Sequence, residues 1–209
     1  MPPGGFAVVD VEATGRSPWR HRVVEVGVVL LDGALGVQRE FSSLLDPGGP
    51  VGPTQVHRIA QADVVGAPRF RALAPLLREL LAGRVLVGHH VSCDRAFLER
   101  EFARIGTPLS PVPQVCTMRL ARRHLPGATG FGLAACMAAA GLGGFAAHTA
   151  LGDAQASAAL LRYCWGEPSS AAKGHPSTRG AALRLAADQH WAELARPRSD
   201  PQECARVRA

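Results

Sequence analysis

The 209-residue chain is short of several residue types, and each shortage narrows what it can be. Lysine occurs once, as Lys173, so the basic character rests on 22 arginines. Aromatic residues make up only 5%, too few for an extended base-stacking surface, although Trp19 and Phe131 could each border a cleft. No run of 18 uncharged apolar residues occurs, which argues against a membrane span. The N-terminal Met-Pro-Pro-Gly-Gly-Phe lacks the basic-then-apolar order of a secretory signal, so a cytoplasmic location is expected. Five cysteines (Cys93, Cys116, Cys136, Cys164, Cys204) are an odd number with no C-x-x-C pair, which fits reduced thiols better than a disulfide framework. The glycines at 127–132 and 141–144 lack the preceding strand and following acid of a dinucleotide fingerprint, and no P-loop or serine nucleophile elbow is present.

What remains is a globular composition, 47% hydrophobic and 19% charged, with a net charge of +6. Arginine suits bidentate contacts to phosphate, so a polyanion such as nucleic acid fits the chain. An arginine excess also accompanies a GC-rich coding sequence, and charge alone does not decide between the two.

Periodicity supplies the framework. Residues 6 to 12 form a Val-rich run interrupted by Asp10 and Glu12, and read as a buried strand. Residues 23 to 31 and 37 to 45 are two further strands joined at Asp32-Gly33, where glycine would supply a positive φ, giving a three-strand antiparallel meander. Thr54 offers an N-cap for a short helical turn through Ile59. Leu73, Leu76, Leu77, Leu80 and Leu81 recur at helical spacing over 70–81, and Gly83 stops that helix. A strand follows over 84–88, then helices over 96–105, 117–125, 132–140 and 150–165. Helix, strand, helix implies a crossover into the same sheet, hence an α/β fold with a mixed sheet flanked by helices. After Trp165 the composition shifts to Ser, Pro, Gly, Ala and Arg, a linker over 166–178 with one amphipathic helix over 181–194. The expected division is a domain over 1–166 and a tail over 167–209.

Three clusters carry chemistry. Asp10 and Glu12, two apart on a strand, project to one face. Taken singly, they could lie on a solvated edge. Asp94 stands where the 84–88 strand runs into a helix, and could be only an N-cap. His148 and Asp153, five apart, cannot share one face of a helix, so they converge only if His148 sits on a loop and the helix begins just after it. Together, four carboxylates and a histidine at element ends match the oxygen ligands of two hard cations, Mg²⁺ or Mn²⁺. Zinc fits poorly, because His89, His90 and Cys93 have no second set of ligands at suitable spacing.

These residues resemble the motifs of the DEDDh 3′–5′ exonucleases, the family of the proofreading epsilon subunit of bacterial DNA polymerase III. The motifs read Asp10-Val-Glu12-Ala13-Thr14-Gly15, then Gly88-His-His90-Val-Ser-Cys93-Asp94-Arg-Ala-Phe97-Leu98, then His148-Thr-Ala-Leu-Gly-Asp153-Ala154. Thr54-Gln-Val-His57-Arg58-Ile59 and Cys116-Thr117-Met-Arg119-Leu120-Ala-Arg122 also resemble landmarks of the family, and the likeness runs over residues 6–165. The departures are His90 where Asn is usual, Cys93 for Phe, Ala13 for Thr and Arg58 for Gly. None removes a ligand.

The resemblance implies a ribonuclease-H-like fold, with a three-strand antiparallel meander plus two parallel strands. It implies that Asp10, Glu12, Asp94 and Asp153 bind two divalent cations and that His148 is the general base. One ion and His148 would generate the attacking hydroxide, and the second would stabilise the leaving 3′ oxygen. Ala13, Thr14, His57, His90 and Phe97 become the residues that meet the terminal nucleotide, and arginines such as Arg16, Arg20 and Arg119 its backbone. The expected activity is release of nucleoside 5′-monophosphates from single-stranded or frayed 3′ ends, DNA favoured, alone or beside a DNA polymerase. Two rivals are an RNA or oligonucleotide trimmer, and a non-catalytic module that holds strand ends or docks on a polymerase through its tail.

Overall fold

The computed structural model describes residues 4–165. Five strands, β1 (Phe6–Ala13), β2 (Val23–Leu31), β3 (Val37–Leu44), β4 (Val85–Gly88) and β5 (Gln114–Cys116), form one sheet in the order β3-β2-β1-β4-β5. The first three form the antiparallel meander, while β4 runs parallel to both β1 and β5. Parallel pairs need long crossovers, and helices supply them. α1 (Thr54–His57) and α2 (Phe70–Leu81) lie between β3 and β4, and α3 (Val91–Arg104) between β4 and β5. Three more follow: α4 (Thr117–His124), α5 (Leu133–Ala139) and α6 (Ala150–Trp165).

β1 is central and buried on both faces, which explains why it reads as a continuous apolar run. Its side chains nevertheless alternate. Phe6 and Val8 join Leu120, Met137, Leu160 and Leu161 in a core beneath α4, α5 and α6. Ala7, Val9 and Val11 join Leu77, Leu98 and Phe102 in a second core beneath α2 and α3. Asp10 and Glu12 continue the Phe6–Val8 register and therefore belong to the α6 side of the sheet.

The three-strand meander is as expected, and the helices after residue 116 start and stop within a residue of the expected bounds. Gly83 ends α2 with a φ of 68°, as a C-terminal glycine does. Four local expectations are corrected. The β2–β3 turn takes its positive φ at Leu35 rather than Gly33, because Asp32 Oδ1 accepts the Ala34 and Gly36 N–H groups and Arg162 fixes the Leu35 carbonyl. Thr54 is the first residue of α1, with Pro53 at the N-cap and no side-chain cap bond. α3 begins at Val91, five residues ahead of the expected start, because the left-handed backbone at His90 redirects the chain straight out of β4. Asp94 accordingly lies inside the first turn and is not the N-cap. The reduced-thiol expectation is met by Cys116, Cys136 and Cys164; Cys93 is not among the free thiols, and Cys204 lies outside the described residues. The 166–178 linker and the 181–194 helix also fall outside them.

Candidate active site

Asp10, Glu12 and Asp153 meet, with one carboxylate oxygen from each lying within 4.8 Å of the others. The first two are 7% and 5% exposed. The alternation of β1 accounts for this convergence, since both of its acids face the side on which α6 packs. Asp94 arrives from the opposite side on α3, 1% exposed, and its Oδ1 accepts the N–H of Val11, the residue between Asp10 and Glu12. Three acids thus face one another, and the fourth is locked to their backbone. Gly88 allows this approach, since a Cβ there would crowd Asp94 Oδ2 and the Val9 carbonyl. His148 lies on the loop ahead of α6, exposed and with a φ of 64°, as convergence with Asp153 requires.

Residues not expected among the site residues set the start of α6. Thr149 precedes its first residue, and its hydroxyl accepts the Gly152 N–H at 3.1 Å, a side-chain N-cap. Glu25 on β2 accepts the Ala150 N–H at 2.9 Å, placing a negative charge at the helix N-terminus. Gly27, the β2 partner of Asp10, takes the backbone of Ala150 and Leu151 directly against the strand; any Cβ there would overlap it. No local pattern marks Glu25 or Gly27, since both act across more than 120 residues. Thr149 carried a readable capping signal beside the conspicuous His148.

A pocket adjoins the acids and is lined by Glu12, Ala13, Gly15, His57, Cys93 and Phe97. Of the residues expected to grip the nucleotide, Ala13, His57 and Phe97 are therefore at this pocket; Thr14 and His90 are not among its lining residues. The Thr14 hydroxyl instead accepts the Arg22 N–H and closes the loop after β1. His90 places Nδ1 3.1 Å from the Cys93 sulfur. His57 is buried with both ring nitrogens engaged, Nε2 donating to the Val51 carbonyl and Nδ1 accepting from the Ile59 N–H, so it offers the pocket its ring rather than a hydrogen bond. Arg58 and His90 both have left-handed backbone, at φ 62° and 71°, and these are two of the departures from the family pattern. Gly and Asn tolerate that conformation with the least strain. His89, the third residue of the zinc alternative with His90 and Cys93, spends both nitrogens: Nε2 donates to the Phe131 carbonyl at 2.8 Å, and Nδ1 lies 3.0 Å from the Thr117 hydroxyl. Burial lowers its pKa to about 4 against the partial opposition of the Phe131 bond. Phe131 itself packs beneath Arg122.

The loop between β1 and β2 is tied to α3 by a charged clasp. Glu101 is fully buried and takes a two-pronged contact from Arg22, at 2.7 and 2.9 Å, together with Arg104 at 3.1 Å and the Val23 N–H. The hydrogen bond to Glu101 raises the Arg22 pKa, against the burial that opposes it. Arg104 also donates to the Pro18 and Trp19 carbonyls. Removing Glu101 would leave Arg22 and Arg104 facing each other without the buried carboxylate they share.

Residues 7–161 match the exonuclease family model of the RNase T type. The DNA polymerase III subunit epsilon of Aquifex aeolicus is 29% identical over 161 residues, covering 76% of this chain and 79% of the subunit. Exonuclease X in complex with 5′ overhanging duplex DNA superposes with a TM-score of 0.62 at 25% identity, over 85% of this chain and 98% of that one. Escherichia coli exonuclease I in complex with a dT13 oligonucleotide reaches a TM-score of 0.71 at 16% identity. The chain spans only 43% of exonuclease I, and that likeness shows the fold alone. The sheet order, the facing carboxylates and the match over three quarters of the chain agree: this protein belongs to the DEDD family of 3′–5′ exonucleases, ribonuclease-H-like enzymes that act on nucleic acid.

Proposed function

We propose that Asp10, Glu12, Asp94 and Asp153 hold two divalent cations, Mg²⁺ or Mn²⁺, and that His148 is the general base in removing 5′-monophosphates from single-stranded or frayed 3′ ends, with DNA favoured. The observation that carries this reading is the meeting of Asp10, Glu12 and Asp153 beside the pocket at the end of β1. Hard oxygen donors fit such ions and fit zinc less well. Carboxylates about 4 Å apart repel by roughly 1 to 4 kcal/mol per pair in water-like to surface-like surroundings, and a bound cation reverses the sign. Bound there, divalent ions would supply positive charge for these carboxylates and for the negative charge that develops on the phosphate.

The chain's own residues do the rest. Ala13, His57 and Phe97 give the pocket a mostly apolar wall for the terminal sugar and base. Asp94, fixed to the Val11 N–H, holds the end of β1 in place so that Asp10 and Glu12 keep their spacing. His148 takes the proton from the attacking water, and its exposed loop position gives that proton a route to solvent. The exonuclease unit occupies residues 1–166. The identity to an epsilon subunit favours a partner polymerase as a second reading.

With the purified full chain, Mn²⁺ and a 5′-labelled single strand, we expect a ladder of shortened products. Asp10→Ala and excess chelator should each lower the rate by at least about 1,000-fold. Matched DNA and RNA strands rank the substrates. No ladder on either with several metals would overturn the catalytic reading, and strand binding that persists in chelator would then mark a non-catalytic module.

A further inference from the structure

Beyond the pocket, α3 carries a second feature that the catalytic reading leaves unused. Cys93, Phe97, Arg100 and Arg104 follow one another at spacings of four, three and four, so they share one helix face. The loop after β1 runs along that face. Cys93 and Phe97 meet Gly15 and Arg16 at the pocket, Arg100 meets Trp19, and Arg104 meets the Pro18 and Trp19 carbonyls. The guanidinium of Arg100 lies 3.4 Å from the centroid of the Trp19 ring. It sits six residues beyond Asp94, about 9 Å of helix at roughly 1.5 Å per residue.

Trp19 is held rigidly and yet is 61% exposed. Its carbonyl is bonded to Arg104, its ring rests on Arg100, and the turn around it is closed by the Arg20 and His21 N–H groups donating to the Ser17 carbonyl. One face of the indole is occupied by a cation, and the ring remains largely open to solvent. Arg100 has its own deficit. Among the described residues no carboxylate pairs with it, and its buried Nε has no hydrogen-bond acceptor. A flat apolar ring short of a cover and a cation short of an anion are complemented together by a nucleotide, which brings a base for the first and a phosphate for the second.

We infer that Trp19 and Arg100 form an upstream subsite, stacking a base of the same strand whose 3′ end lies in the pocket and receiving one of its phosphates. This rests on the pocket being where the strand end is held. The subsite would favour strands of several nucleotides over dinucleotides, and single strands over duplexes, because a stacked base must leave its partner. The nearby exposed Arg20 adds positive charge to the same approach.

The test uses the full chain with Trp19→Ala, Trp19→Phe and Arg100→Gln. Equilibrium binding of labelled six-nucleotide oligothymidylate is measured in chelator by anisotropy, and kcat and KM are measured with Mn²⁺ on strands of two, four and six nucleotides. Trp19→Ala should raise both Kd and KM for the six-mer about tenfold, move kcat less than twofold, and flatten the dependence of KM on length. Trp19→Phe should recover most of the loss, which separates stacking from a folding defect. Arg100→Gln should weaken binding and reduce the salt dependence of Kd by about one phosphate contact. Unchanged Kd and KM in a folded Trp19→Ala protein would overturn the subsite, including the case in which this surface serves a protein partner. If the variants lose binding and no form cleaves, the subsite stands and the catalytic reading falls.

Discussion

At the scale of single residues, His89 shows how a histidine within a family motif can be structural. It joins the end of β4, the start of α4 and the Phe131 loop through two hydrogen bonds. Burial depresses its pKa from 6.5 to about 4, so the folded state holds it neutral while an unfolded chain protonates it near 6.5. The unfolded state therefore binds more protons between those values. The resulting stability is present above pH 6.5, is lost as pH falls toward 4, and amounts to roughly 3 kcal/mol at most. We expect the urea midpoint of the wild type to fall over this window, and His89→Gln to be less stable at pH 7 with a flatter profile. Equal slopes for the two proteins would show that carboxylates, not His89, govern acid sensitivity. The convergence of Asp10, Glu12 and Asp153 was legible from sequence because the types and spacings of their motifs are demanding. The roles of Thr14 and His57 were not, since whether a polar side chain turns inward to its own loop or outward to a pocket depends on contacts such as Arg22 and Val51 that no local pattern encodes.

Among the elements, the junction of β2 with α6 controls whether the third facing acid reaches the first two. Four of the five strands and the later helices could be read from the apolar pattern because burial of apolar faces enforces it, whereas β5, three residues long, is too short to show a period. The seating of one on another could not, because it is set by close backbone approach at Gly27 and by a charge at Glu25. Gly27→Ala isolates that contact. A methyl group there would overlap the Ala150 backbone, forcing the first turn of α6 away from Asp10 and carrying Asp153 with it. Overpacking of this kind costs about 1 to 3 kcal/mol, so a midpoint lower by several degrees is expected. The sharper outcome is catalytic: a misplacement near 1 Å in the acid cluster should reduce kcat about 100-fold or more, with circular dichroism unchanged. A Gly27→Ala protein as active as wild type would mean that α6 is not seated through this glycine.

For the whole molecule, the question is where the working unit ends. Among the described residues, the buried members of the two cores on either side of the sheet span residues 6–164, and the family match covers 7–161. The last described residue, Trp165, still belongs to the fold, because its ring packs edge-on against Phe6 with centroids 6.1 Å apart at the start of the central strand. We propose that the physical boundary falls just after Trp165, where composition shifts from a helical pattern to Ser, Pro, Gly and Arg. A chain ending at residue 166 should keep the midpoint of the full protein and hydrolyse a six-nucleotide strand within about twofold of it. A chain ending at residue 164 loses the Phe6 contact as well as the buried ring area. Aromatic pairs contribute about 0.5 to 1.5 kcal/mol beyond burial, and its thermal midpoint should drop by about 5 °C or more. If the 166-residue form were folded yet inactive, the tail would belong to the catalytic unit, and the division at Trp165 would be a boundary of packing but not of function.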